Sequence, residues 1–310
     1  MKRRTFLVLG APLWGAGKER RIKLEYAVAV KGASAAAPVD VWMPVPVSDG
    51  NQTVSDLEIR SAFPVVRTEG DHGNRLAYVQ VREDTTIVMR LRAVRRERVA
   101  ALGRRLGAGA APLCCLEGDR LVPVDGKIRE WAREVVEEAG AGTDLEMARA
   151  IYNHVVSTVK YDKSGKGWGR GDIYYACDSR RGNCTDFHAI FIGYARAMEI
   201  PARFAIGYPL PRERGAGTIA GYHCWAEFWA QGVGWIPIDA SEAAKDPARR
   251  EYFFGAHDEN RVEFSRGRDV VLRPRQKGEP LNFLIDAYGE RDGLRWSGVT
   301  TTVRYEDEGS

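Results

Sequence analysis

Gly182-Asn183-Cys184-Thr185-Asp186-Phe187-His188 is the stretch on which the reading of this chain turns. Gly182 gives the backbone freedom for a sharp entry, and Asn183 is a good helix N-cap. Asp186, three residues on, is the reciprocal partner of a capping box. Cys184, Phe187, Phe191, Tyr194 and Met198 then recur every three to four residues, and Ile200-Pro201 ends the pattern. The spacing predicts a helix with one apolar face and Cys184 in its first turn. The unpaired N–H groups and dipole at that end stabilise a thiolate, and the same N–H groups can hold an oxyanion.

Downstream, a strand at Ala202 to Tyr208 and a polar loop lead to Tyr222-His223-Cys224-Trp225-Ala226-Glu227-Phe228-Trp229. This reads as a strand with His223, Trp225 and Glu227 on one face. Gln231-Gly232-Val233-Gly234 is the turn, and Trp235-Ile236-Pro237-Ile238-Asp239 is the returning strand. The midpoint of 223 and 239 falls at Gln231, so folding the hairpin sets Asp239 opposite His223. A histidine paired to a carboxylate is a base with its orienter, and reaching the helix start completes a Cys184-His223-Asp239 triad.

Upstream, residues 22–99 read as all-β. Leu24, Tyr26, Val28 and Val30 alternate, as do Val39, Val41 and Met43, then Leu57 and Ile59, with Leu76 to Val81 and Thr85 to Val94 following. Turn clusters at Ser48-Asp49-Gly50-Asn51 and Glu69 to Asn74 separate them, which suggests a small sandwich. The Gly- and Ala-rich stretch after Val99 is a linker. Beyond it Ile128, Trp131, Val135 and Val136 fit one helix face. Leu145, Ala148, Tyr152, Val155, Val156 and Val159 fit another, with Thr143 or Asp144 as N-cap.

With 310 residues, 44% hydrophobic and 28% charged, the composition is that of a folded globular chain. The 46 Lys+Arg and 42 Asp+Glu nearly balance. The run Arg90-Leu91-Arg92-Ala93-Val94-Arg95-Arg96 reads as a strand with a solvated face, and nothing argues for nucleic acid. No apolar stretch reaches the ~18 residues of a membrane-spanning helix. Lys2-Arg3-Arg4, the apolar run Phe6 to Trp14 and Gly15-Ala16-Gly17 have the layout of an export leader, with Arg3-Arg4 of the twin-arginine kind. That places the protein outside the cytoplasm, in the periplasm; the alternative is a cytosolic N-terminus. Of the five cysteines, Cys114 and Cys115 read as buried small hydrophobes, since neighbours rarely reach disulfide geometry. Pairing among Cys114, Cys115, Cys177 and Cys224 is left open.

The three motifs together, Gly182 to His188, Gly221 to Phe228 and Pro237-Ile238-Asp239-Ala240-Ser241, resemble the bacterial transglutaminase-like superfamily. The resemblance runs over roughly 112–290, through Phe253-Phe254-Gly255, Asn260-Arg261-Val262 and Gly267-Arg268-Asp269. It implies an α+β fold: a papain-like transglutaminase core preceded by a small β-sandwich domain. It also implies a triad at Cys184, His223 and Asp239, no cofactor, and thiol-dependent acyl transfer on peptide or protein amides. Whether water or an amine resolves the thioester does not carry over. The expected division is a leader at 1–20, the sandwich at 21–100, a linker at 101–111, the catalytic domain at 112–290 and a tail at 291–310.

Rival readings attach to the same residues. His188, one turn after Cys184, reads as a packing histidine rather than the base. Trp168 is a candidate substrate-binding residue, and Tyr161 or Trp168 a candidate oxyanion partner. Glu227 either supports the hairpin or binds substrate. A zinc site from Cys177, Cys184, His188, His223 and Cys224 would leave Asp239 only an outer role, and no C-x-x-C pair accompanies it. A catalytically inactive binding module on the same fold is the other alternative.

Overall fold

In the strand Glu19–Val30, Ile22, Leu24, Tyr26, Val28 and Val30 are buried while Arg21 and Lys23 face water. That period of two lays one face of a sheet on a core. In the computed structural model, which describes residues 18–102 and 109–309, this strand lies mid-sheet. It pairs antiparallel with Thr85–Arg96 on one side and Val299–Asp307 on the other. Gln52–Arg60 and Ala216–Ile219 form the two edges of this five-stranded sheet. A second five-stranded sheet runs Leu294–Arg295, Tyr288–Arg291, Val39–Val45, Arg75–Val81, Val66–Glu69. The two sheets share the core through Ile87, Met89 and Leu91 from one and Val41, Met43 and Val79 from the other. The Arg90 to Arg96 run is strand, as expected, with Arg90 bonded to Glu25 across the wet face at 2.7 Å; Arg95, however, is buried.

The sandwich is therefore completed from far along the chain. Residues 291–310, read as a tail, hold two of its strands, and Ala216–Ile219 reaches it from the loop before His223. The leader read at residues 1–17 and the linker glycines Gly103 and Gly107 lie outside the described residues.

The second layer system supplies the α part of this α+β fold. Helices α1 (Gly126–Glu138), α2 (Asp144–Thr158), α3 (Ile173–Ser179), α4 (Cys184–Ala197) and α5 (Ala240–Lys245) pack with a four-stranded antiparallel sheet. Its order is Gly234–Ile238, His223–Ala230, Ala202–Pro209, Arg261–Arg266. Thr143 caps α2 with Glu146 in a capping box, as its sequence predicts. Helix α4 departs from its predicted single apolar face, because all fourteen of its residues are buried. Small residues explain this: Ala189, Gly193, Ala195 and Ala197 let neighbours close on the sides that Phe187 and Phe191 leave free. Phe191→Ala would cost about 3–5 kcal/mol by transfer and cavity terms.

The outer strand of this sheet, Arg261–Arg266, would expose an unpaired edge. Two sandwich side chains cover it. Gln52 donates to Glu263 O (3.0 Å) and accepts from Glu263 N (2.8 Å). Asn74 does the same at Arg266, both bonds 2.8 Å. Each amide mimics a backbone partner, so the sandwich is fastened to the strand that carries Arg261.

Cys114 is exposed and Cys115 half-buried, with sulfurs 3.6 Å apart, so the reading of this pair as core hydrophobes is corrected. They sit on a short 3-10 turn beside the exposed Leu113, a place with no core to enter. All five cysteines are free thiols. No helix among the described residues is long and apolar enough to cross a membrane.

Candidate active site

The start of α4 is built as its sequence dictates. Asn183 Oδ1 accepts from Thr185 N at 2.9 Å, and Asp186 Oδ2 accepts from Asn183 N at 2.9 Å, closing the capping box. Gly182 is required by close approach, since a Cβ there would collide with the Asp186 carboxylate. That carboxylate also accepts from Gly169 N (2.7 Å) and Gly171 N (3.1 Å). It thereby ties the loop 162–172, with its half-buried Trp168, to the helix that begins at Cys184.

Cys184 is 2% exposed. Hydrogen bonding with the neighbouring Cys224 thiol favours its thiolate form. Burial opposes this and a hydrogen bond with His223 reinforces it, leaving the Cys184 thiol well below its ordinary range. Cys224 moves the other way, well above its usual value, through burial and the negative Cys184.

The hairpin forms from the predicted strands, but its register is Glu227↔Pro237 and Ala226↔Ile238, which centres the turn at Gly232 rather than Gln231. Asp239 therefore does not face His223 across the ladder. It leaves the strand and becomes the N-cap of α5. Its two oxygens divide the work. Oδ1 accepts from Ser241 Oγ and Glu242 N, both at 3.0 Å, as a helix cap does. Oδ2 accepts from His223 Nε2 at 2.7 Å and from Arg261 Nη1 at 2.9 Å. With Nε2 so engaged, Nδ1 is the ring nitrogen left for Cys184. Burial disfavours a charged His223 ring, but the Asp239 charge and hydrogen bond, then Cys184, outweigh it and push the imidazole up to about 10. Asp239 is fully buried; burial alone would raise it, but His223, Arg261 and His188 hold it well below the usual carboxylate range.

His188 is also fully buried, and burial drives it down to about 4 against the pull of Asp239. Ala240 N donates to its Nε2 at 3.2 Å, so that nitrogen carries no proton, and its Nδ1 lies 3.7 Å from the Cys224 sulfur. Glu227, 1% exposed, is engaged by Arg98 at one oxygen and by Arg203 Nε, 2.7 Å away, at the other. Cys177 lies apart from these groups, on α3 with Tyr194 Oη 3.5 Å away. Tyr161 is half-buried beside the site, and burial, then the negative Cys184, pushes its phenol up; Lys245 lies 4.6 Å from its ring. Trp168 has Lys163 6.0 Å from its ring.

Sequence reasoning missed Arg261 as a member of this cluster. The available signal was a charged residue opening the otherwise core-like run Arg261-Val262-Glu263-Phe264.

The core is papain-like and α+β, with a thiol at a central helix start, an imidazole on the adjoining sheet and the carboxylate that caps α5 bonded to that imidazole. Residues 129–240 match the transglutaminase-like superfamily. An uncharacterised protein of Haemophilus influenzae is 29% identical over 205 residues, covering 56% of this chain and 55% of that protein. The chain thus matches little more than half the length of that relative. Among solved structures, a candidate cysteine protease from Cytophaga hutchinsonii aligns over 94% of this chain and 92% of its own, with 16% identity and a TM-score of 0.62. The whole architecture, sandwich included, is therefore shared with that protein. The periplasmic domain of TgpA from Pseudomonas aeruginosa aligns over 74% of this chain and 90% of its own, with 16% identity and a TM-score of 0.38.

Proposed function

We propose that the protein is a thiol-dependent acyltransferase or amide hydrolase acting on peptide or protein amides. Cys184 is the nucleophile, His223 the acid and base, and Asp239 the residue that orients and charges the ring. The observation that carries this reading is the 2.7 Å bond between His223 Nε2 and Asp239 Oδ2, with the same imidazole favouring the thiolate of Cys184. The Cys184 thiolate attacks the amide carbonyl, and the imidazolium protonates the departing amine. Water or a second amine then resolves the thioester, with His223 now acting as base. The Cys184 N–H at the start of α4 is the proposed backbone donor to the oxyanion, since the Thr185 N–H is already given to Asn183 Oδ1. Trp168 and Tyr161 are proposed to line the substrate approach.

Two measurements test this. Near pH 6 a thiol of ordinary pKa, about 8.5, is almost wholly protonated. There Cys184 is expected to alkylate ahead of the exposed Cys114, and mass-spectrometric labelling that finds the reverse contradicts the assignment. Ammonia release and amine incorporation, followed together on glutamine-containing peptides, separate hydrolysis from transfer; both should vanish in Cys184→Ala.

We further propose that residues 1–17 act as an export leader. Protein recovered from its host should then begin near Gly17 or Lys18, outside the cytoplasm. An intact Met1 terminus on cytoplasmic protein counts against it.

A further inference from the structure

We propose that Arg261 is a positioning residue for this chemistry: its guanidinium pins Asp239 Oδ2 and shares that oxygen's charge with His223. The inference rests on the assignment of His223 and Asp239 above.

The geometry is specific. Arg261 opens the edge strand Arg261–Arg266, is 3% exposed, and places Nη1 2.9 Å from the same carboxylate oxygen that receives His223 Nε2 at 2.7 Å. Asp258 Oδ1, 3.5 Å from Nη2, and the Trp225 ring, 5.0 Å from the guanidinium carbon, steady it from behind. The strand is in turn fastened to the sandwich by Gln52 and Asn74. An oxygen that accepts from both imidazole and guanidinium is electrostatically divided. It orients the ring firmly while giving the imidazolium less stabilisation than an unshared carboxylate would. Such a device keeps a proton on His223 without trapping it there.

The charged and titratable groups around the ring are few. Cys184 and His188 stand on its α4 side and Glu242 on its α5 side, with Oε1 3.9 Å from Nε2. Asp239 adds His188 and Tyr152 to its own neighbours, and His257 with Asp258 stand on the Arg261 side. Among these, Arg261 supplies the cation nearest the shared oxygen.

The test is a nitrogen-15 NMR titration of the histidine rings, paired with steady-state kinetics. In Arg261→Met the cation is lost. The His223 midpoint is expected to move to higher pH by about half a unit to one unit, with kcat lower by roughly tenfold and KM unchanged. Arg261→Lys keeps the charge without the planar fork; it is expected to hold the midpoint while still lowering kcat several-fold. A purely structural Arg261 would lower the melting temperature and leave midpoint and kcat of the folded protein at wild-type values, which overturns the proposal. If Arg261→Met does not fold, Arg261→Lys decides, and wild-type kcat in that variant overturns it. A wild-type His223 that titrates near the ordinary 6.5 would instead defeat the assignment beneath it.

Discussion

Glu227 lies in the hairpin and Asp239 directly follows it, both are buried, and both are held ionised, yet their surroundings differ in kind. Glu227 meets Arg98 and Arg203, two groups that stay charged at any pH a protein survives. Burial would raise its carboxyl, and the two guanidiniums overrule that and hold it down. Arg98 also donates to Trp235 O at 2.7 Å, so the cluster clips the end of the sandwich to the hairpin. Asp239 meets one arginine and two histidines, and one of these, His223, touches the Cys184 thiol. A buried carboxylate alone says little about chemistry. What marks a reacting site is a partner that can give up its proton.

The comparison breaks most readily at the histidines. His223→Ala is expected to abolish turnover, whereas His188→Ala should leave a folded fraction that still turns over. The latter loses about 1–3 kcal/mol of stability for the unpartnered Ala240 N–H. A folded but inactive His188 variant beside an active His223 variant would move the base onto α4.

Next come the carboxylates themselves. Asp239→Asn keeps the size, loses the charge and can favour the wrong tautomer, so turnover should fall by ~10²–10⁴-fold. Glu227→Gln leaves two half-buried guanidiniums without their buried carboxylate and should cost about 2–3 kcal/mol of stability, with turnover of the folded protein within a few-fold of wild type. Equal losses of turnover in the two variants would erase the distinction between the clusters.

The smallest effect sharpens the contrast by pH. His188 titrates at about 4 when folded, below the unfolded histidine. As pH falls from about 6.5 towards 4, the unfolded chain binds a proton that the folded one refuses. Stability contributed by the neutral ring is thus present above that window and lost through it, by on the order of 3 kcal/mol. Urea midpoints of His188→Gln should decline less steeply over this range than those of the wild type. Parallel curves would mean that His188 accepts its proton in place.

The sequence carried the elements better than their meeting points. Alternation at Ile22 to Val30 and the capping box at Asn183-Asp186 are local signals, set by residues a few positions apart, and both formed as read. The hairpin register was missed by one residue in its centre because Gly232 and Gly234, both at positive φ, allow more than one turn geometry. The all-round burial of α4 was illegible because alanine and glycine positions do not announce what will pack on them. Val299–Asp307 reads as tail since only Val303 and Tyr305 face the core, among threonines that pass for loop. The role of Arg261 escapes the sequence for a different reason: its partner lies on another element, and no periodicity connects the two.

The placing of Val299–Asp307 between Glu19–Val30 and Ala216–Ile219 has a consequence for biogenesis. During synthesis, Cys184, His223 and Asp239 have all emerged while the first sheet still lacks its inner strand. The arm that leads into His223 then has nothing to pair with. Closing the sheet joins the earliest described residues to late ones, the slow kind of pairing. A nascent chain therefore carries Cys184, His223 and Asp239 before it holds the arm beside them in place, and that arm is fixed only once Val299–Asp307 has been made.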